Sequence, residues 1–181
     1  MKKILSASVV LLLTLTGCIF SSEDYKARAT YDFSPDRIEC SGAVNRIRIK
    51  NSSGADRRFL YRTHDNRMLL DEYNVWMLDP EQLMRRVFDV SFSNRSKDAA
   101  DVSCTIERFE FDLTSGVAGM QLAVSVEKDG RSDRKLFVFT EKMKKKNGAS
   151  AAYAMDKCAK AAVKKVDMMI KEFAEKKKVE K

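Results

Sequence analysis

The one histidine, His64, stands beside Asp65 in Thr63-His64-Asp65-Asn66-Arg67, and these are two of the residue types that general acid–base catalysis uses most. Adjacent residues do not by themselves present a base to a nucleophile, so the segment reads as a polar turn between two strands. A second grouping, Glu107-Arg108-Phe109-Glu110-Phe111-Asp112, carries three carboxylates. On a strand, charges alternating with apolar residues are the pattern of a solvated face. The four thiols, Cys18, Cys40, Cys104 and Cys158, have spacings unlike any C-x-x-C clip, and a single histidine cannot build a His-rich metal site. No Gly-x-Ser-x-Gly, no phosphate-cradling Gly-x-x-x-x-Gly-Lys and no His-Glu-x-x-His occurs in the chain. The expectation is a protein that is not an enzyme and holds neither metal nor cofactor.

One thiol does have a chemistry. Lys2 and Lys3 precede an apolar stretch of 13 residues, Ile4 to Thr16, long enough for a signal-peptide core and too short to span a bilayer. The stretch closes on Leu15-Thr16-Gly17-Cys18, which resembles the lipobox of bacterial lipoproteins. That resemblance implies removal of residues 1–17 and acylation of Cys18 with palmitate-type chains, a covalent lipid in place of a cofactor. At about 0.8 kcal/mol per buried methylene, such chains anchor a protein stably. Ile19 stands where an aspartate would signal retention in the inner membrane, so the resemblance implies the periplasmic face of the outer membrane, or the cell membrane in a host with one membrane. Residues 18–27, with Ser21-Ser22-Glu23-Asp24, read as a lipidated cysteine and polar tether. Cys40, Cys104 and Cys158 then remain, an odd number that allows at most one intramolecular disulfide and assigns none.

The rest of the chain must fold. It has 181 residues, 44% apolar and 33% charged, with 7 glycines and 2 prolines, enough for one core and short for two. Residues 28–176 read as a single domain and 177–181 as a charged tail. The net charge of +8 falls to +6 when Lys2 and Lys3 leave with the signal. Export and interspersed acidic residues argue against nucleic acid. Lys144-Lys145-Lys146 and Lys176-Lys177-Lys178 read as solvated runs.

Strands are expected at 28–33, 44–50, 58–62 and 68–73. In the second, Ile47 and Ile49 alternate with Arg46, Arg48 and Lys50, giving one dry and one wet face. Asp79-Pro80-Glu81-Gln82 opens a helix, with Asp79 as cap, Pro80 in the first turn and Leu83, Met84, Val87 and Phe88 on one stripe. Strands follow at 102–113, 120–127 and 135–140. The apolar parity switches near Glu107-Arg108, which predicts a bulge, and Lys128-Asp129-Gly130-Arg131 predicts a hairpin turn. From Ser150 to about Lys176 the pattern is a long amphipathic helix. The fold class is α+β, a mostly antiparallel sheet with two main helices on one face.

Arg46-Ile47-Arg48-Ile49, Phe59-Leu60-Tyr61-Arg62-Thr63, Asp71-Glu72-Tyr73-Asn74-x-Trp76 with Pro80, and Ile106-Glu107-Arg108-Phe109-Glu110 together resemble the ABC-type transport auxiliary lipoproteins. The resemblance spans about residues 44 to 173. It implies a non-enzymatic accessory component of a mammalian-cell-entry or paraquat-inducible type lipid transport system, with a periplasmic lipid-carrying protein and ABC transporter components as partners. The alternative is a lipoprotein assisting lipopolysaccharide or outer-membrane protein assembly. By this resemblance Tyr61, Arg62, Tyr73 and Trp76 are partner contacts, and Trp76 is the preferred anchor because a large amphipathic ring is rigid. A homo-oligomer is a further expectation, through Tyr73 and Trp76 together with Met169 and Phe173 at the apolar end of the last helix.

Overall fold

The computed structural model describes residues 27–179, with side chains through residue 175; the signal segment, Cys18 and the tether before residue 27 lie outside the described residues. The elements are β1 (Ala29–Tyr31), β2 (Val44–Asn51), β3 (Arg58–Arg62), β4 (Met68–Trp76), α1 (Pro80–Ser91), β5 (Ala100–Asp112), β6 (Val117–Lys128), β7 (Arg131–Lys142) and α2 (Gly148–Val179). The fold is α+β, as expected. One seven-stranded sheet runs β1-β4-β3-β5-β6-β7, with β2 also paired to β5. Most paired residues sit in the antiparallel ladders β3–β4, β5–β6 and β6–β7. Three pairings are parallel, β1–β4, β2–β5 and β3–β5, and strand pattern alone does not announce them.

The expected bulge has an architectural consequence. The β5–β6 register shifts between Ile106 and Arg108, so Val102, Cys104 and Ile106 face the core before it and Phe109 and Phe111 face the core after it. At the same point β5 changes neighbour, pairing with β2 through Ile106 and with β3 at Phe111 and Asp112. The β6–β7 turn also forms as expected: Asp129 (φ 52°) and Gly130 (φ 75°) are both left-handed, the geometry of a two-residue hairpin loop. β7 is an edge strand, and its Arg134, Lys135, Glu141 and Lys142 are the kind of charges that discourage edge-to-edge aggregation.

Both helices lie on one sheet face, α1 over β2 and β5, α2 over β6 and β7, and they touch each other. Asp79 caps α1, accepting from the Gln82 N–H at 2.8 Å, and Pro80 begins the helix. Leu83, Met84, Val87 and Phe88 are buried, as their spacing requires. On α2 the buried stripe runs from Ala151 and Met155 through Cys158, Ala162 and Val166 to Phe173. The helix continues to Val179, three residues into the stretch read as a tail. Among the described residues no helix is long and apolar enough to cross a membrane.

Two buried aspartates on α2 hold the irregular segment between β1 and β2. Asp156 accepts from the Ser34 N–H at 3.0 Å and Asp167 from the Gly42 N–H at 2.8 Å. They stand about three turns apart on one side of the helix. Lys160 and Lys171, each one turn further on, neutralise them at 3.0 and 2.6 Å. Gly42 is required by this approach: a Cβ there would sit 2.8 Å from the Asp167 Oδ1.

Candidate functional site

The contact residues named from sequence do not form one surface. Trp76 is 1% exposed, enclosed by Phe33, Phe59, Phe109 and Phe111 at ring-centroid distances of 5.3, 4.5, 5.7 and 6.2 Å. A fully buried ring offers nothing to a partner, so Trp76 is corrected from interface anchor to core. Met169 and Phe173 are also buried, and the Arg131 guanidinium lies over the Phe173 ring at 5.5 Å. Phe109 is in register with Met120 and Phe139, and Arg131 lies eight residues from Phe139 along β7. The Trp76 cluster and Phe173 are therefore separated by about 26 Å along the sheet. The oligomer surface read from Tyr73, Trp76, Met169 and Phe173 dissolves: Tyr73 alone is exposed.

Tyr61 and Arg62 sit at the end of the sheet where β3 turns into β4, opposite Leu69 and Met68, and Tyr73 follows in the irregular stretch of β4 between Leu70 and Val75. Arg62 donates from Nε and Nη2 to the two Glu110 oxygens at 2.8 and 2.9 Å, a bidentate pair. The Glu110 side chain is only 7% exposed, that of Arg62 36%. The alternation of charges on the strand predicts a solvated Glu110; it is instead buried beneath its arginine partner. The Arg108 guanidinium lies against Gly119, where a Cβ would come within 2.9 Å of it, and its buried Nε makes no hydrogen bond among the described residues. Tyr61 is half-buried, and burial first, then the neighbouring Asp71 carboxylate, pushes its phenol upward. Asp71 also accepts from the Tyr73 and Asn74 amides at 2.8 and 3.0 Å. Asn74 in turn receives the Tyr31 hydroxyl at 3.2 Å. A cleft of about 520 Å³ between this network and the start of α2 is lined by Tyr31, Tyr61, Asp71, Asn74 and Lys146.

The carboxylates that invited catalytic readings are committed elsewhere. Asp65 takes the Thr63 hydroxyl and the Arg67 guanidinium inside the turn, where Asn66 is left-handed. Glu107 accepts from Gln121 at 2.9 Å, while Asp112 caps the next turn at the Thr114 and Ser115 amides. No grouping of three metal-ligating side chains occurs among the described residues.

Cys40, Cys104 and Cys158 are free thiols. Cys104 is in register with Val124, whereas the Cys158 Sγ lies 3.8 Å from the Ala118 carbonyl. Six residues of β6 separate these points, about 20 Å, against the Cα separation under about 7 Å that a disulfide needs. Burial pushes the Cys104 thiol up to about 12 and that of Cys158 to about 12; burial, then Asp167, pushes Cys40 up to about 11. The folded state therefore keeps its thiols protonated. Their contribution to stability is intact below the ordinary thiol range and is lost as pH rises from about 8.5 toward those raised values. Iodoacetamide at pH 8 is expected to leave Cys104 and Cys158 unmodified in the folded protein and to modify both in denaturant, read by peptide mass spectrometry. Rapid native modification of Cys104 would contradict its burial.

Sequence reasoning missed the apolar exposure at this end. Met68, Leu69 and Leu70 are 40%, 47% and 41% exposed. Leu69 is opposite Tyr61, while Met68 and Leu70 are opposite Arg62 and Leu60, so both faces of the ribbon are apolar. The signal was three consecutive apolar residues without alternation, which sequence alone cannot distinguish from a strand buried on both faces.

No family model matches the chain, and no curated protein matches it. Among solved structures, one described as an uncharacterized protein aligns with a TM-score of 0.68 at 11% identity, covering 80% of this chain and 99% of its own. A Xanthomonas campestris protein described under the family model DUF330 aligns with a TM-score of 0.65 at 14% identity, covering 83% of this chain and 99% of its own. At these identities the likeness is one of fold, and both whole structures fall within it.

Proposed function

We propose that the chain is a lipid-anchored accessory component of an ABC-type, mammalian-cell-entry lipid transport system, held at the periplasmic face of the outer membrane, where it docks a lipid-carrying partner and makes or breaks no bonds. The observation that carries the reading is the lipobox-like Leu15-Thr16-Gly17-Cys18, only ten residues before Arg28, which already bonds to β4. The residue blocks that resemble the auxiliary lipoproteins add to it. They fall on β2, β3, β4, the start of α1 and β5, the strands contiguous in the sheet around the Arg62–Glu110 pair, and the carboxylates of Asp65, Glu107, Glu110 and Asp112 have structural partners. An accessory protein needs a rigid body and a tether, and the buried core behind a polar leader supplies both.

Mass spectrometry of the exported chain should find acylated Cys18 at its N-terminus, and Cys18→Ser should shift the protein from membrane to soluble fractions. A mammalian-cell-entry protein, a permease and an ATPase encoded beside the gene should be needed for the same lipid-transport phenotype as this chain. Replacing His64, Asp65 or Glu107 singly should leave complementation intact. An unmodified Cys18, a gene paired instead with a barrel protein, or a purified activity that falls about a hundredfold with one of those replacements would overturn the proposal.

A further inference from the structure

The β1–β4 pairing determines the direction from which the chain arrives. β1 runs parallel to β4 with Ala29 opposite Asn74, and Arg28 donates to the Glu72 carbonyl at 3.1 Å. Followed backwards, β1 is therefore aimed along β4 toward Met68, at the β3–β4 tip. Ala29 lies within about 13 Å of the tip, because β4 carries extra residues between Leu70 and Val75 and only four residues of β3 separate the partners of Val75 and Met68. The ten residues from Cys18 to Arg28 span at most about 35 Å. To place Cys18 at the opposite end of the sheet, by the Lys128–Arg131 turn, the tether would have to reverse at Arg28 and pass β1 itself.

The end of the sheet toward which β1 is aimed, followed backwards, has a composition of its own. It carries the exposed Met68, Leu69 and Leu70. The parallel β3–β5 pairing and the antiparallel β5–β6 and β6–β7 ladders bring the ends of β3, β5 and β7 to the same side. Lys142 and the Lys144-Lys145-Lys146 run therefore emerge there, and Lys146 shares a cleft with Tyr61. Apolar side chains on a projecting hairpin, flanked by basic residues, are the elements of a surface that enters the headgroup layer of an anionic bilayer. Run-of-the-mill solvated lysines would not need the apolar hairpin beside them.

From this we propose that the β3–β4 tip and the adjoining lysine loop form a second, non-covalent membrane contact, with Met68, Leu69 and Leu70 entering the interface of an anionic phospholipid bilayer and Lys142 and Lys144–Lys146 meeting its headgroups. The inference rests on the lipid anchor of the proposed function for its geometry, and on the exposed side chains for its chemistry. It sets the orientation of the domain: the sheet stands on its β3–β4 end, with the β6–β7 turn farthest from the membrane.

The test uses the full chain, expressed with its export segment, purified as exported and reconstituted in vesicles containing about 30 mol% phosphatidylglycerol, with and without brominated acyl chains. Leu69→Trp should report strong bromine quenching; Leu136→Trp, exposed in the middle of β7, and the native Trp76 should report none. Changing Lys144, Lys145 and Lys146 together to Glu should sharply reduce the Leu69→Trp quenching. An unquenched Leu69→Trp on acylated protein overturns the proposal while leaving the anchor standing; a tryptophan there shielded without bromine quenching assigns the tip to a protein partner and overturns it equally. If the N-terminus proves unacylated, the anchor reading fails on its own, and flotation of the same protein decides the surface. Binding that requires phosphatidylglycerol and weakens at least about tenfold on the lysine reversal, and again with Leu69→Asp, sustains the proposal; absence of binding overturns it.

Discussion

Replacing Trp76 by alanine is expected to lower stability by about 3–5 kcal/mol, the range for removing a large aromatic from a packed core. For a domain of this size each kcal/mol shifts the melting temperature by about 2–4 °C, so the melt should move down by roughly 6–20 °C. The magnitude follows from the environment: Trp76 is 1% exposed and meets four phenylalanine rings, and each aromatic pair adds about 0.5–1.5 kcal/mol beyond the area it buries. Those rings come from the segment after β1 (Phe33), from β3 (Phe59) and from β5 beyond its bulge (Phe109 and Phe111). The cavity would thus loosen every contact that joins the β1–β4–β3 side of the sheet to the long strands. Trp76→Phe should recover most of the loss, since it keeps an aromatic face against Phe59. Light scattering run beside the melt should give an unchanged mass. A change of mass with an unshifted melt would return Trp76 to the interface role that its burial denies it.

Much of this architecture is legible from residue order, and the reasons are local. The Asp79-Pro80 start of α1 works because a carboxylate and a residue without an N–H suit the first turn wherever they occur. The bulge at Glu107-Arg108 is legible because period two is strict, and a parity change in the apolar residues of β5 has to be absorbed somewhere. The parallel pairing of β2 and β3 to successive halves of β5 is not legible. It depends on which strand edge lies free once β6 has taken the other, a choice made by long-range packing rather than by side-chain alternation.

The candidate site is legible in its residues and not in their exposure. Tyr61 and Arg62 do come together at one end of the sheet, because they close a single hairpin, while Tyr73 lies beyond Leu70 in the irregular stretch of β4. Trp76 lies three residues beyond the strand expected at 68–73 and is the last residue of β4. Its position at the end of β4 fits a surface anchor as well as a core ring, and its burial comes from Phe33, Phe59, Phe109 and Phe111, rings from distant parts of the chain. Met68, Leu69 and Leu70 present the converse. Their run without alternation fits a strand buried on both faces, yet β1 covers β4 only from Asn74 onward and leaves the tip bare.

Arg62→Ala is expected to destabilise the domain by about 2–4 kcal/mol, below the full cost of breaking a buried ion pair because the arginine is partly wet. Removing the guanidinium leaves the Glu110 carboxylate, 7% exposed, without the two donors that held it at 2.8 and 2.9 Å. Glu110→Gln in the same chain should restore part of the loss, since a neutral amide is less costly to bury unpaired than a charge. The two single changes and the double change form a cycle, and denaturant unfolding should return a coupling of about 1–3 kcal/mol, the scale for direct partners. The cycle also separates the two roles open to Arg62, which lies on the strand paired with β4 and next to the exposed tip. If the arginine serves the fold, Arg62→Ala lowers stability, and the double change recovers stability and partner docking together. If it serves a partner directly, stability is barely touched, Glu110→Gln rescues nothing, and docking is lost in both variants alike. Additivity of the two single changes within about 0.5 kcal/mol would show that the bidentate pair is not the interaction that keeps Glu110 inside.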